Sequence, residues 1–277
     1  MTPLEGFSPT LLAGRNAFVT GGGSGINLGI ARAFASVGAN VAICGRTAAK
    51  LDTAAVEIRK LGVEVVTAAA DVREAAAIRA AVDQAGAELG PIDILVCGAA
   101  GNFNAPAESL SPNGFRTVVE IDLLGSFNTV HAAFEQLVQT RGHILFVSAG
   151  QAYLPWPHQA HAGAAKAGVE NLMKNLALEW GKYGIRSNSI VPGPIAETEG
   201  LKRLSEPIGE EFWLNCVPLG RFGSVEDIGA MAIVLSSSIG AYVTGCQVVV
   251  DGGFALPGFG SIGREMQKVT VHGEGGR

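Results

Sequence analysis

The chain has 277 residues, 48% of them apolar and 16% charged, with a formal net charge of −5. That is apolar material enough for one large core, and the basic residues stand singly or in pairs, which excludes a surface built for nucleic acid. No uninterrupted apolar stretch approaches about 18 residues, and the start MTPLEGFSPTLLAGR lacks a basic segment followed by an apolar run, so neither a membrane span nor an export signal is expected and the cytoplasm is the expected compartment.

Short apolar runs punctuated by glycine alternate with alanine-rich segments of helical period. The runs are NAFVT (16–20), NVAIC (40–44), VEVVTAA (63–69), IDILVC (92–97), HILFVS (143–148), IRSNSIV (185–191) and CQVVVD (246–251). Between them GIARAFASVG, LDTAAVEIRKLG and REAAAIRAAVDQAGAELG space their apolar residues by three and four, as amphipathic helices do. The strands are near-continuously apolar, the pattern of a parallel sheet covered on both faces. The expectation is a Rossmann-type, doubly wound α/β fold: seven parallel strands flanked by helices in one domain, with right-handed crossovers. The core is expected over about 12–253. Residues 196–222 break the rhythm and are expected to form a substrate lid, followed by a glycine-rich tail over 254–277.

The first turn reads TGGGSGINLG. Gly21, Gly23, Ser24, Gly25 and Ile26 follow the first strand directly and open a helix, where glycines admit a pyrophosphate and free N–H groups meet its charge. A dinucleotide site places an acidic side chain about 20 residues on for the ribose 2′-hydroxyl. Here the second strand ends in CGRT, so Arg46 stands in that place and favours a 2′-phosphate, hence NADPH over NADH. Cys44, Cys97, Cys216 and Cys246 include no CxxC pair and at least two lie in strand runs, so buried thiols are expected, and no His or Cys spacing suggests a metal.

Over roughly 12–253 the sequence resembles the short-chain dehydrogenase/reductase family, in TGGGSGI, Ala70–Val72, Ala99–Gly101, Lys166 in its helix, Pro192–Ile195 and VTGCQVVVDGG. The resemblance implies that Asp71 and Val72 sit at the adenine and that Ala99, Ala100 and Gly101 line the cofactor cleft. It further implies that Pro192, Gly193 and Ile195 flank the nicotinamide while Lys166 holds the ribose hydroxyls. Asn27 departs from the family glycine, and Asn tolerates left-handed backbone better than most residues. Of the family tetrad of Asn, Ser, Tyr and Lys, the tyrosine position holds Ala162, the serine position Ala149 with Ser148 adjacent, and the asparagine position Asp122.

That pattern, with CGAAGNFNAPAESLSPNGFRTVVEIDLLGSFN, HAGAAKAGVE and PGPIAETEGLKRLS, is similar to the 2,4-dienoyl-CoA reductases of the family, above all the peroxisomal type, although the closing EGGR is no peroxisomal address. Reducing a ketone puts charge on an oxygen that needs a hydroxyl acid in contact with it. Hydride addition to a dienoyl thioester instead spreads charge onto the thioester oxygen, and a held water can protonate carbon later. The resemblance implies Asp122 as the group orienting that water, Lys166 as positive potential, Ser148 as a hydrogen-bonding group and Tyr153 as a displaced candidate acid. Asn102 and Phe103 are the expected substrate contacts, with Phe212 and Trp213 as further candidates for an acyl wall. Lys202 and Arg203, or Arg264 and Lys268 in the tail, are the expected cations for coenzyme A. His158 and His161, near Pro155 and Pro157, read as a loop wall. Two alternatives stay open: a reductase of another carbonyl or alkene that uses Tyr153, and a non-catalytic NADP-binding regulator. A homotetramer through the helices near 112–140 and 155–183 is expected from the family.

Overall fold

The computed structural model describes residues 2–205 and 209–256. Seven parallel strands form one sheet in the order β3-β2-β1-β4-β5-β6-β7. They are β1 Asn16–Thr20, β2 Asn40–Gly45, β3 Val65–Ala69, β4 Ile94–Cys97, β5 His143–Val147, β6 Arg186–Pro192 and β7 Gln247–Val250. β1 pairs with β2 from Asn16↔Asn40 to Thr20↔Cys44 and with β4 from Ala17↔Ile94 to Val19↔Val96. All five residues of β1 are buried, and those of β4 likewise, because helices cover both faces at the centre of the sheet.

The helices α1 Gly25–Ser36, α2 Ala48–Arg59 and α3 Ala75–Leu89 follow the first three strands. After β4 come α4 Pro112–Val119, a π-helical turn Glu120–Leu124 and α5 Gly125–Thr140; α6 Ala160–Trp180 follows β5. The segment after β6 holds α7 Glu199–Ser205 and α8 Glu210–Asn215, and α9 Val225–Ser236 precedes β7. Two apolar layers result, one around Ile30, Phe34, Ile43 and Ile233 and the other around Phe18, Ile78, Leu95 and Phe146.

The chain winds outward from β1 through β2 to β3, then returns to place β4 on the other side of β1. The connections leaving the ends of β1 and β4 therefore diverge and open a crevice, the place where ligands bind in open α/β sheets. Each strand run of the sequence holds a strand: β1 matches its run residue for residue, and the ends of the others are shifted by one or two residues. Cys44 and Cys97 are buried as expected of strand thiols, whereas Cys246, just before β7 at the edge of the sheet, is exposed.

Candidate active site

A cavity of about 880 Å³ runs along the crevice. Among the residues singled out from sequence, Gly21, Gly23, Ser24, Gly25, Ile26, Arg46, Asp71, Val72, Ala99 and Ala100 line one stretch of it. Asn102, Asp122, Ser148, Tyr153, Lys166, Pro192, Gly193 and Ile195 line it too. Residues as far apart in the chain as Gly21 and Ile195 are thus brought to one wall by a parallel sheet that gathers the C-terminal ends of its strands on the same edge.

The turn after β1 is shaped by Gly21 at φ +71 and Gly25 at φ +56, left-handed conformations that glycine adopts without strain. Ser24 caps α1 by position only: its side chain makes no bond to the helix, so the first-turn N–H groups stay available to an anion. Thr20 ties this turn to the next crossover, donating to the Val96 carbonyl at 3.1 Å and accepting the Gly98 and Ala99 N–H groups at 3.0 and 3.3 Å.

Asn27 lies within α1 and is not left-handed, so tolerance of positive φ is not what admits it in place of glycine. Its room is supplied by Gly98, where a Cβ would collide with the Asn27 amide. Nδ2 donates to the Gly98 carbonyl at 2.8 Å, which fixes Oδ1 as the remaining acceptor.

Arg46 is exposed at the end of β2, and its charge helps hold the Asp71 carboxyl below the usual range. The larger cause is Arg73, whose Nε lies 3.1 and 3.2 Å from the two carboxylate oxygens and whose Nη2 lies 2.6 Å from Oδ2. Burial pushes the Cys44 thiol nearby up to about 12, so it stays protonated and takes no part in acid–base chemistry.

At the centre stand Asp122 and Lys166. Asp122 sits in the π-helical turn between α4 and α5, an irregularity common at functional positions. Its Oδ1 accepts the Gly101 N–H at 2.7 Å, and its Oδ2 lies 3.3 Å from Lys166 Nζ. The side chains are 2% and 9% exposed, which makes this a buried ion pair. Lys166 also donates to the Val147 carbonyl at 2.9 Å, so two of the three ammonium hydrogens have protein acceptors. Gly101 does not line the cavity; it acts on the site through this bond to Asp122. Gly125 permits the arrangement, because a Cβ there would stand 2.5 Å from Val72 and push α5 off the sheet.

Ala162, where the resembled family has its acid, is buried and lines the cavity, as does Ala149. Ser148 is buried at the end of β5 with no hydrogen-bond partner for its hydroxyl among the described residues. Tyr153 is 42% exposed, and burial together with the charges of Asp251 and Glu170 raises its phenol above the ordinary value.

Other residues lie differently from the sequence reading. His158 is an exposed loop residue, but His161 is no loop wall: it is buried in the first turn of α6, edge-on to Phe103 at 4.3 Å between centroids. Burial lowers its pKa, against an opposing pull from Asp122. Phe103 is thereby engaged with His161 and does not line the cavity, and Phe212 is 59% exposed; Trp213 is buried and does line it. Lys202 and Arg203 are exposed on α7 and neither lines the cavity; Arg203 donates to the Asn102 carbonyl at 2.6 Å. The segment expected as a lid carries α7 and α8, and Ile195, Glu197, Leu201, Leu204 and Trp213 from it or beside it line the cavity. Arg264, Lys268 and the rest of the tail beyond 256 lie outside the described residues. Missed from sequence were Trp156, Asp251 and Phe254, all on the cavity wall; no local pattern marks them, because each gains its place from a loop packed against another loop.

Among known proteins, residues 21–255 match the family described as enoyl-(acyl carrier protein) reductase. The chain is 45% identical over 249 residues to a peroxisomal 2,4-dienoyl-CoA reductase of Saccharomyces cerevisiae, covering 88% of this chain and 85% of that one. It is 43% identical over 260 residues to the peroxisomal 2,4-dienoyl-CoA reductase of Arabidopsis thaliana, covering 90% and 87%. Among solved structures it resembles a gluconate 5-dehydrogenase from Burkholderia cenocepacia in complex with NADP and tartrate, with a TM-score of 0.83 and 34% identity over 89% of this chain and 97% of that one.

Proposed function

We propose that this chain, which belongs to the short-chain dehydrogenase/reductase family, is an NADPH-dependent reductase of 2,4-dienoyl-CoA thioesters. The observation that carries this reading is the buried Asp122–Lys166 pair on the cavity wall beside Ala162, where a carbonyl reductase of the family would keep its phenol. The names of the two relatives above support the substrate class.

A dinucleotide suits the crevice on two grounds: the α1 N-terminus is left without a side-chain cap, and the Gly21–Gly25 turn presents backbone where side chains would otherwise stand. Gly21, Gly23, Ser24, Gly25 and Ile26 would hold its pyrophosphate, and Arg46 its 2′-phosphate. Asp71 and Val72 would meet the adenine, Ala99 and Ala100 the middle of the cleft, and Pro192, Gly193 and Ile195 the nicotinamide. When bound, the reduced nicotinamide supplies a hydride.

The protein supplies orientation and charge. The Lys166 ammonium is held by two acceptors, the Val147 carbonyl and Asp122, so its remaining N–H is directed without loss of rotamer freedom at the moment of reaction. Its positive charge stabilises the negative charge that develops along the conjugated thioester. Asp122, with Oδ1 fixed by Gly101, presents Oδ2 to Lys166 and to a water that carries a proton to carbon. Ser148 lines the same cavity, with a buried hydroxyl that has no partner among the described residues. Tyr153 has its phenol raised above the ordinary value, which suits wall better than acid. Asn102 and the exposed Lys202 and Arg203 on α7 are our candidates for the thioester and coenzyme A; Phe103 supports them from behind through His161.

We assign the cytoplasm as compartment, although both relatives are named as peroxisomal, and a homotetramer as the assembly, with α5 and α6 as its faces. Among the described residues no helix is long and apolar enough to cross a membrane. The test is NADPH oxidation by purified protein with 2,4-hexadienoyl-CoA, crotonyl-CoA and simple ketones. Turnover of the dienoyl thioester is expected. Brisk turnover of ketones with the thioesters untouched would overturn the reading in favour of a Tyr153-dependent reductase, and NADPH binding with no turnover at all in favour of a regulator.

A further inference from the structure

Three aromatic side chains that stand far apart in sequence meet on the cavity wall. Trp156 comes from the loop between β5 and α6, Trp213 from α8, and Phe254 from the turn after β7. Trp213 and Phe254 are stacked 9° from parallel with centroids 5.5 Å apart. Trp156 lies 5.5 Å from Trp213 at 27° and 5.8 Å from Phe254 at 36°. The rings thus form a compact triangle in which Trp213 and Phe254 are near parallel and Trp156 is inclined to both, and all three line the same cavity as Lys166 and Tyr153.

The cluster is fixed by polar contacts at its base. Asp251 accepts the Gly253 N–H at 2.8 Å and the Ala255 N–H at 2.7 Å, which sets the turn that carries Phe254. That turn lies directly against the segment expected to flank the nicotinamide, since a Cβ on Gly193 would fall 2.6 Å from Asp251 Cα. The aromatic wall therefore belongs to the reacting end of the cavity and not to the adenine end.

Trp213 adds a second, independent mark. It is 6% exposed, and its Nε1–H has no acceptor among the described residues. A buried donor left unpaired is destabilising, so an acceptor brought to it by a ligand entering the cavity would be stabilising. Flat π-surfaces gain stacking energy on aromatic plates beyond what their area gives, whereas a flexible saturated chain gains area alone and loses rotamer entropy.

Building on the acyl-thioester reading above, we propose that Trp156, Trp213 and Phe254 make the acyl site selective for coenzyme A thioesters of planar, aryl-conjugated acyl groups, with an oxygen of that ligand accepting from Trp213 Nε1. The test is calorimetric binding to the NADP-loaded protein of cinnamoyl-CoA, 4-hydroxycinnamoyl-CoA and nonanoyl-CoA, the first and last having equal acyl carbon number. Wild type is expected to bind cinnamoyl-CoA about tenfold more tightly than nonanoyl-CoA, the equivalent of one to two good aromatic contacts. Trp156→Leu and Phe254→Leu should erase that preference while keeping nonanoyl-CoA and NADPH binding, which also shows that they fold. Trp213→Phe keeps the ring face and removes the donor. A loss of about tenfold for both aryl thioesters identifies the thioester carbonyl as the acceptor, and a loss for the hydroxylated one alone identifies the ring oxygen. Equal binding of cinnamoyl and nonanoyl thioesters by wild type, a preference that survives both leucine substitutions, or no effect of Trp213→Phe on either aryl thioester overturns the proposal while leaving the dienoyl reading intact. Failure of every acyl-CoA to bind while NADPH binds overturns both.

Discussion

Replacing Asp122 by asparagine isolates charge from shape. The amide keeps an acceptor for the Gly101 N–H, now at 2.7 Å from Oδ1, but removes the negative partner that stands 3.3 Å from Lys166 Nζ. At an effective dielectric near 20 a pair at that distance is worth about 5 kcal/mol before desolvation, and removing one member of a buried pair costs about 3–5 kcal/mol. Asparagine can still accept from the lysine, so we expect a cost near the bottom of that range, about 3 kcal/mol, or roughly 6–12 °C in melting temperature for a domain of this size. Turnover of dienoyl-CoA should fall by about 10²–10⁴, the usual contribution of a positioned acid–base group, with NADPH affinity changed by less than about threefold. Steady-state kinetics, NADPH fluorescence titration and a thermal melt on the one variant give all three numbers. Turnover within about threefold of wild type in a folded Asp122→Asn protein would refute the role of the carboxylate, and an equal loss in NADPH affinity would reduce it to a structural support of Lys166.

Further outcomes follow from the same geometry. Arg46→Asp should weaken NADPH by about 10–100-fold with little change for NADH, the worth of one or two charge-assisted hydrogen bonds, as read by parallel fluorescence titrations. Tyr153→Phe should hold kcat within about threefold, because a phenol raised by burial and by Asp251 and Glu170 is a poor acid at neutral pH. Asp227 accepts the Ser224 N–H at 2.8 Å and pairs with Arg221 at 2.8 Å at the start of α9, so Asp227→Ala should lose about 1–2 kcal/mol at neutral pH in denaturant melts. Arg221 and the cap hold that carboxyl below its ordinary value, so its stabilisation is complete above about pH 4. The difference between wild type and variant should then shrink as pH falls through the lowered native pKa.

The sequence by itself determined the sheet, the first crossover and the identity of the central lysine. Near-continuous apolar runs bounded by glycine can be satisfied only by strands buried on both faces, and TGGGSGI directly after the first of them leaves little choice of turn. The family resemblance added that Ala162 stands where the family carries its phenol and Asp122 where it carries asparagine. What tertiary structure alone decided was distance. That Asp122 reaches Lys166 depends on the π-helical turn and on Gly125 letting α5 close onto Val72, neither of which leaves a periodic signature. Asn27 read as a matter of backbone conformation and proved to be one of space over Gly98. His161 read as loop and is buried, because α6 begins one residue before it. Trp213 was a candidate wall residue from sequence, but its partners Trp156 and Phe254 were illegible for a general reason: local pattern records how a residue meets its own element, whereas loops brought together across about a hundred residues are set by which cavity the whole sheet leaves open.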